Sequence, residues 1–213
     1  MRTVGGKRIA LTIDDGPSPT YTPQYLRLLA KLHIKAVFCV IGDNVRRYPN
    51  LVKQIVAGGH VLCNHTMHHD LHLGTRSAST IHQDITATTA AIMKASGGVR
   101  PVFFRAPGGN FTDRLVQVAY ADEMTSLYWQ VDPRDWSHPE GEDDTTHVGK
   151  VVDGVREHVQ PGSIVLSHDF NQPDTILAYE QLLPWLTENF ELGIPDQPPA
   201  PTAAAPAGPA SSL

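Results

Sequence analysis

The sequence predicts an α/β fold on a parallel sheet, open or closed into a barrel, and two observations carry that expectation. Short, β-rich apolar runs alternate with longer segments of helical period, at intervals that suit crossover connections. Each chemically loaded cluster stands just after one of the predicted strands: Asp14-Asp15, residues 65–69, Arg105, residues 132–136 and His168. In parallel α/β architectures the loops at the carboxyl ends of the strands open on one face. The clusters are therefore expected to converge on a single site.

Taken in order, residues 8–13 form the first apolar run, which Asp14, Asp15, Gly16 and Pro17 bring to a stop. Thr20 is placed to cap a helix whose apolar residues (Tyr25, Leu26, Leu28, Leu29, Leu32) recur at three and four. Residues 36–41 are a second buried strand, closed by Gly42. Tyr48-Pro49 opens a helix through Leu51, Val52, Ile55 and Val56 that ends at Gly58-Gly59. Residues 60–64 form a third strand. Residues 79–95 form a helix stopped by Gly97-Gly98, and residues 102–104 a fourth strand. Thr112 or Asp113 caps the next helix, through Leu115, Val116 and Ala119. Residues 126–131 are a fifth strand, 144–159 a helix and 163–167 a sixth strand. A final helix at 175–189 should kink at Pro184, and residues 190–194 form a frayed seventh strand. Residues 1–194 thus read as one domain. From Pro195 the composition turns to Pro, Ala, Gly and Ser, so residues 195–213 are expected to be a disordered tail.

With 213 residues, 41% hydrophobic and 18% charged, the chain can bury a real core. A net charge of −5 and the lack of a Lys/Arg cluster argue against nucleic acid as a partner. No apolar run approaches the about 18 residues that span a bilayer, and residues 1–6 carry no signal-like apolar core. The chain is expected to be cytoplasmic or to have lost a leader, and to act as a monomer. The two cysteines, Cys39 and Cys63, lie in apolar runs, where a small buried thiol is the usual reading. A disulfide between them requires neighbouring strands.

Two adjacent carboxylates after a strand repel unless a cation is near, although Asp-Gly-Pro also suits a plain polar turn. Successive side chains on a strand point to opposite faces, so Asp14 and Asp15 are free to do different work. His65 and His69, four apart, can meet one metal ion if the segment turns helically; otherwise they are two solvated histidines. A carboxylate from another strand end would complete a His-His-Asp set with positions open to water and substrate, the layout of a catalytic zinc site. Such a donor set also accepts cobalt or another divalent ion. The remaining histidines, His33, His60, His82, His138, His147 and His158, read as structural or solvated.

In order, TIDDG (residues 12–16), HTMHH (65–69), RAPGG (105–109), DPRDW (132–136) and IVLSH (164–168) resemble the five motifs of the polysaccharide deacetylases. This is the NodB-homology domain of carbohydrate esterase family four, and the resemblance covers about residues 7–190. It implies a distorted, incomplete (β/α) barrel of about seven parallel strands with helices outside. It further implies a metal-dependent hydrolase that removes acetyl groups from sugars.

By motif position Asp14 would be the general base, Asp15, His65 and His69 the metal ligands, and His168 the general acid. Arg105 would hold Asp14, and Asp135, with Asp132 second, would orient His168. Trp136 and Leu166 would line the acetyl and sugar pocket, and the Gly108 loop would offer a backbone N–H. The resemblance favours N-acetylglucosamine-containing glycan (chitin oligomers or peptidoglycan) as substrate. An O-deacetylase such as an acetylxylan esterase, a non-sugar amide hydrolase and a non-catalytic carbohydrate-binding domain are the alternatives.

Three positions depart from the family pattern. Ile13 and Gly108 stand where aromatic residues are usual, and Asp70 replaces a proline and is expected to loosen its loop.

Overall fold

β1 (Arg8–Asp14) is the strand on which the sheet is assembled. It pairs in parallel with β2 (Val37–Val40) on one side and with β6 (Ile164–His168) on the other, and its first residues pair with β7 (Glu191–Leu192). Beyond β2 lie β3 (Val61–Asn64), β4 (Phe103–Phe104) and β5 (Thr125–Ser126), giving the order β5-β4-β3-β2-β1-β6, all pairs parallel. The computed structural model describes Met1, Val4 and residues 8–196. Most of the tail expected to be disordered, residues 197–213, lies outside the described residues.

The chain past β5 returns to the opposite edge. The Gln130 and Val131 N–H groups donate to the Ile164 carbonyl at 3.0 and 3.2 Å, and Leu166 N–H donates to Val131 O at 2.9 Å. The sheet is thereby curled into a distorted half-barrel, as expected. Around it run α1 (Thr22–Lys31), α2 (Gly42–Arg47), α3 (Pro49–Ala57), α4 (Ala78–Ser96), α5 (Asp113–Ala121), α6 (Asp144–His158) and α7 (Pro173–Asn189).

The two-residue period of β1 sorts its side chains. Ile9, Leu11 and Ile13 join the large core beneath the helices with Leu29, Ile55 and Leu182. Ala10 faces a smaller interior cluster with Val37, Cys39, Cys63, Phe103, Leu127 and Ile164. Thr12 and Asp14 follow Ala10 on that interior face, so the barrel interior ends at its carboxyl rim in Asp14. Ile13 is fully buried on the helix side, which is why an aliphatic residue serves there.

Six expectations are corrected. The fifth strand is only Thr125–Ser126, because the Leu127 and Tyr128 carbonyls accept from the Arg105 guanidinium rather than from a neighbouring strand. Gly42 opens α2 instead of merely closing β2; its N–H and that of Asp43 donate to the Thr66 and Met67 carbonyls. Thr20 does not cap α1, whose N-cap is Tyr21 without a side-chain bond. Cys39 and Cys63 are not free thiols. They are register partners on β2 and β3, with Cα atoms 4.2 Å apart, and form a disulfide. Asp70 does not loosen its loop but closes a turn, its carboxylate accepting from His72 N–H at 2.8 Å. The last helix begins at Pro173, slightly before the expected position, and stays helical through Pro184.

Leu182 and Leu177 on α7 give a paired test of this packing. Leu182 is fully buried in the main core and Leu177 is 47% exposed. Leu182→Ala should cost about 2–5 kcal/mol and Leu177→Ala less than about 0.5 kcal/mol. Urea midpoints read at unchanged slope would check the difference.

Candidate active site

The Arg105 guanidinium is fully buried and spends its donors on four acceptors. Nη1 donates to Asp14 Oδ1 at 2.6 Å and to Thr12 Oγ1 at 2.8 Å, Nε to Leu127 O at 3.0 Å, and Nη2 to Tyr128 O at 3.3 Å. The Trp129 ring lies 5.4 Å from the guanidinium carbon. Asp14, itself buried, therefore has one oxygen locked. Its Oδ2 is left 3.6 Å from His65 Nε2. The cation that the paired aspartates required is Arg105, which directly follows β4 and pairs with Asp14.

Asp15 leaves the strand through a left-handed backbone, φ +74°, which turns its carboxylate out of the Asp14 register. Asn44 Nδ2 holds that turn by donating to Asp15 O at 2.7 Å. Asp15 Oδ1 sits 3.3 Å from both His65 Nε2 and His69 Nε2. The histidines do not reach it by the helical turn that their spacing suggests. Thr66 and His69 both take positive φ (66° and 56°), and the loop is tied down from outside. Asn64 accepts from Thr66 N–H and donates to Ile85 O and Thr89 Oγ1 of α4, while Asp84 of α4 accepts from Met67 N–H. Strained backbone of this kind persists only where surrounding bonds over-determine it.

The electrostatics follow from this crowding. Burial opposes charge on Asp15, yet the close approach of His65, with His168 and His69, outweighs it and brings the carboxyl down to about 2. Burial likewise works to lower His65, but Asp14, Asp15 and the Arg105 carbonyl hold it above its ordinary value. For His69, burial wins and the ring sits below its ordinary value.

The other side of the site is on the neighbouring strand. The β1–β6 register pairs Asp14 with His168 directly, so the two stand about 4.8 Å apart along the hydrogen-bonding direction. Asp135, fully buried, holds His168 twice: Oδ1 lies 2.8 Å from Nδ1, and Oδ2 accepts the backbone N–H at 2.8 Å. Thr175 donates to that same Oδ2 at 2.7 Å. Burial alone would lower His168, but the Asp135 charge and hydrogen bond raise it to about 9. Asp132 is elsewhere, accepting from Arg134 N–H and Trp136 Nε1 at the surface.

Asp15, His65 and His69 each offer one donor atom within 4.8 Å of the others. Asp15 Oδ1 is buried with no hydrogen-bond partner, an orphaned acceptor aimed at two imidazoles. His65 Nδ1 lies 2.9 Å from the Arg105 carbonyl, which fixes the proton there and frees Nε2 as a lone pair. These residues fit a divalent cation. Trp136 is 47% exposed and so is not a core residue, whereas Leu166 is buried on the face of β6 that carries His168. Gly108 takes φ +60° in a tight turn at Pro107–Gly109, and a Cβ there would press on Leu71 at 3.0 Å. That crowding and the left-handed backbone account for glycine where an aromatic residue is usual.

A family model described as polysaccharide deacetylase matches residues 1–127. The chain belongs to the polysaccharide deacetylase family. It is 34% identical to a chitooligosaccharide deacetylase of Sinorhizobium fredii, over 87% of this chain and 91% of that protein. It is 40% identical to a peptidoglycan-N-acetylglucosamine deacetylase of Bacillus cereus, over 84% of this chain and 82% of the relative. Among solved structures it superposes on a family-four pseudoenzyme of Bacillus anthracis with a TM-score of 0.79 and 28% identity, covering 89% of this chain and 64% of that one.

Several residues that shape this site escaped the sequence reading. Asn44, Asn64, Asp84 and Trp129 lie outside the five motifs, and Thr12 stands inside TIDDG without a role expected of it; each acts by supporting a neighbour. Asp169 is fully buried beside Gly16, accepts a hydrogen bond from Thr22, and is pushed up to about 7 by burial.

Removing the Arg105 charge should strand Asp14. Arg105→Met is expected to cost about 3–5 kcal/mol, the penalty of a buried charge without its partner. Adding Asp14→Asn should recover a measurable part of that loss in a double-mutant cycle read by urea denaturation.

Proposed function

We propose that this chain is a metal-dependent N-deacetylase of N-acetylglucosamine-containing glycans, chitin oligomers or peptidoglycan strands. One observation carries the reading. A carboxylate locked by Arg105 and a histidine locked by Asp135 stand on adjacent, in-register strands beside a His-His-Asp set. The activities for which the chitooligosaccharide and peptidoglycan relatives are named support the substrate class. We take residues 1–194 as a single catalytic domain that acts as a monomer.

Asp15, His65 and His69 would hold the ion, zinc by the character of the donors, with cobalt an acceptable second. When bound, it would act as a Lewis acid, polarising the acetyl carbonyl and making water more acidic. The protein does the rest. Arg105 fixes Asp14 so that its second oxygen faces the reacting centre, where it takes the proton of the attacking water. A backbone N–H of the Gly108 turn would receive the developing oxyanion. His168, kept as an imidazolium by Asp135, delivers a proton to the departing sugar nitrogen, which leaves poorly without one. Asp135 keeps the ring oriented throughout. Trp136 offers an exposed indole face against which a sugar ring can lie, and Leu166 closes the acetyl end.

A non-catalytic role, as in the pseudoenzyme, would not require both Asp14 and His168. Here both are present and both are held.

The direct test is acetate release from N-acetylated chitin oligomers, peptidoglycan and acetylated xylan. Release from the N-acetylglucosamine substrates, lost with chelator and restored by zinc, is the expected result; release from xylan alone would overturn the substrate assignment. The pH profile gives a second test. Because His168 is raised to about 9, its proton is retained through neutral pH and lost as pH rises through that value. Asp135→Asn removes the main raising cause, so the alkaline limb of kcat should move down toward about 6.5.

A further inference from the structure

A second cluster of two histidines and a carboxylate lies behind the acid side of the site. His147 on α6 and Asp174 at the start of α7 are 3% and 4% exposed, with His147 Nδ1 2.8 Å from Asp174 Oδ2. His138, in the loop that follows Trp136, brings its Nε2 to 3.5 Å from that same oxygen and 3.5 Å from Asp144 Oδ1. The two imidazole rings meet edge to face at 4.6 Å. One donor atom from each of His138, His147 and Asp174 lies within 4.8 Å of the others, as is also true of Asp15, His65 and His69.

Two features exceed what a plain ion pair requires. A single carboxylate oxygen is shared by two imidazoles, and His147 Nε2 is buried with no hydrogen-bond partner. Buried polar atoms are otherwise nearly always paired. We propose that His138, His147 and Asp174 form a second metal site, for a zinc-class divalent ion, with the exposed Asp144 carboxylate at its rim. Two imidazoles and a carboxylate suit such an ion, and hard oxygen-seeking ions are disfavoured. His138 is the half-exposed ligand, so the ion enters from its side.

The placement gives the ion a structural task. Asp174 precedes Thr175, whose hydroxyl donates to Asp135, and His138 lies two residues beyond Trp136. An ion here ties α6 and α7 to the loop that carries Asp135 and Trp136. It shares no ligand with the first site and does not depend on the proposed reaction.

The full-length chain, stripped with chelator and dialysed against zinc-buffered solution, tests this by metal content and thermal midpoint. Wild type should hold two zinc ions per chain, Asp15→Asn one, and Asp15→Asn with His138→Ala none. In the Asp15→Asn background zinc should raise the midpoint, since it binds only the folded chain, and His138→Ala should abolish the rise. His138 is chosen because its partial exposure lets the variant fold, where a buried His147 variant need not. An Asp15→Asn chain that holds no zinc, or a double variant that holds as much as Asp15→Asn, would overturn the site. Failure of the first site alone would read differently, as an unchanged count on Asp15→Asn.

Discussion

The buried Arg105 guanidinium is the constraint on which the rest of the site depends. A cation inside a protein must be matched donor by donor, and the planar fork of Arg fixes where the acceptors stand. Asp14 and Thr12 satisfy it from β1, Leu127 and Tyr128 from the far side of the barrel. The same residue reaches the His-His-Asp set through its backbone, its carbonyl holding His65 Nδ1. One residue thus ends β5 early, fixes Asp14 and orients His65. The irregular backbone at 127–130 is a consequence of that demand and not a defect in the sheet.

Around this anchor the two aspartates part company. Strand geometry alone would send Asp15 to the helix-side core, where a carboxylate has no partner. The left-handed turn at Asp15 instead carries it over the rim to His65 and His69. The strain at Asp15, Thr66 and His69 is held by Asn44, Asn64 and Asp84, which bond the backbone of those loops and touch no reacting group. The price of a site at a strand end is a set of polar residues whose only work is to keep loops bent.

Much of this was legible in the chain. The alternation of apolar runs and helical periods predicted a parallel sheet because burial on both faces leaves a strong pattern. Asp14, Asp15, His65, His69, Arg105, Asp135 and His168 all fell at strand ends, and the sheet brings those ends to one rim. What was not legible depended on partners distant in sequence. α2 is held by carbonyls of the 65–69 loop, the end of β5 by Arg105, and the Cys39–Cys63 bond by a β2–β3 register that no local pattern fixes. His147 read as a structural or solvated histidine, and the choice between the two rests on the packing of α6 against α7, which buries it with Asp174.

The central claim is that Asp15 serves the ion and Asp14 serves the water, and a side-by-side comparison of Asp14→Asn and Asp15→Asn tests it most directly. Metal content and acetate release should be measured on the same samples. Asp14→Asn should keep the wild-type zinc count and lose turnover by about 10²-fold or more, whereas Asp15→Asn should lose one zinc and turnover together. An Asp14→Asn protein that turns over at the wild-type rate, or one that loses zinc as Asp15→Asn does, would contradict the account.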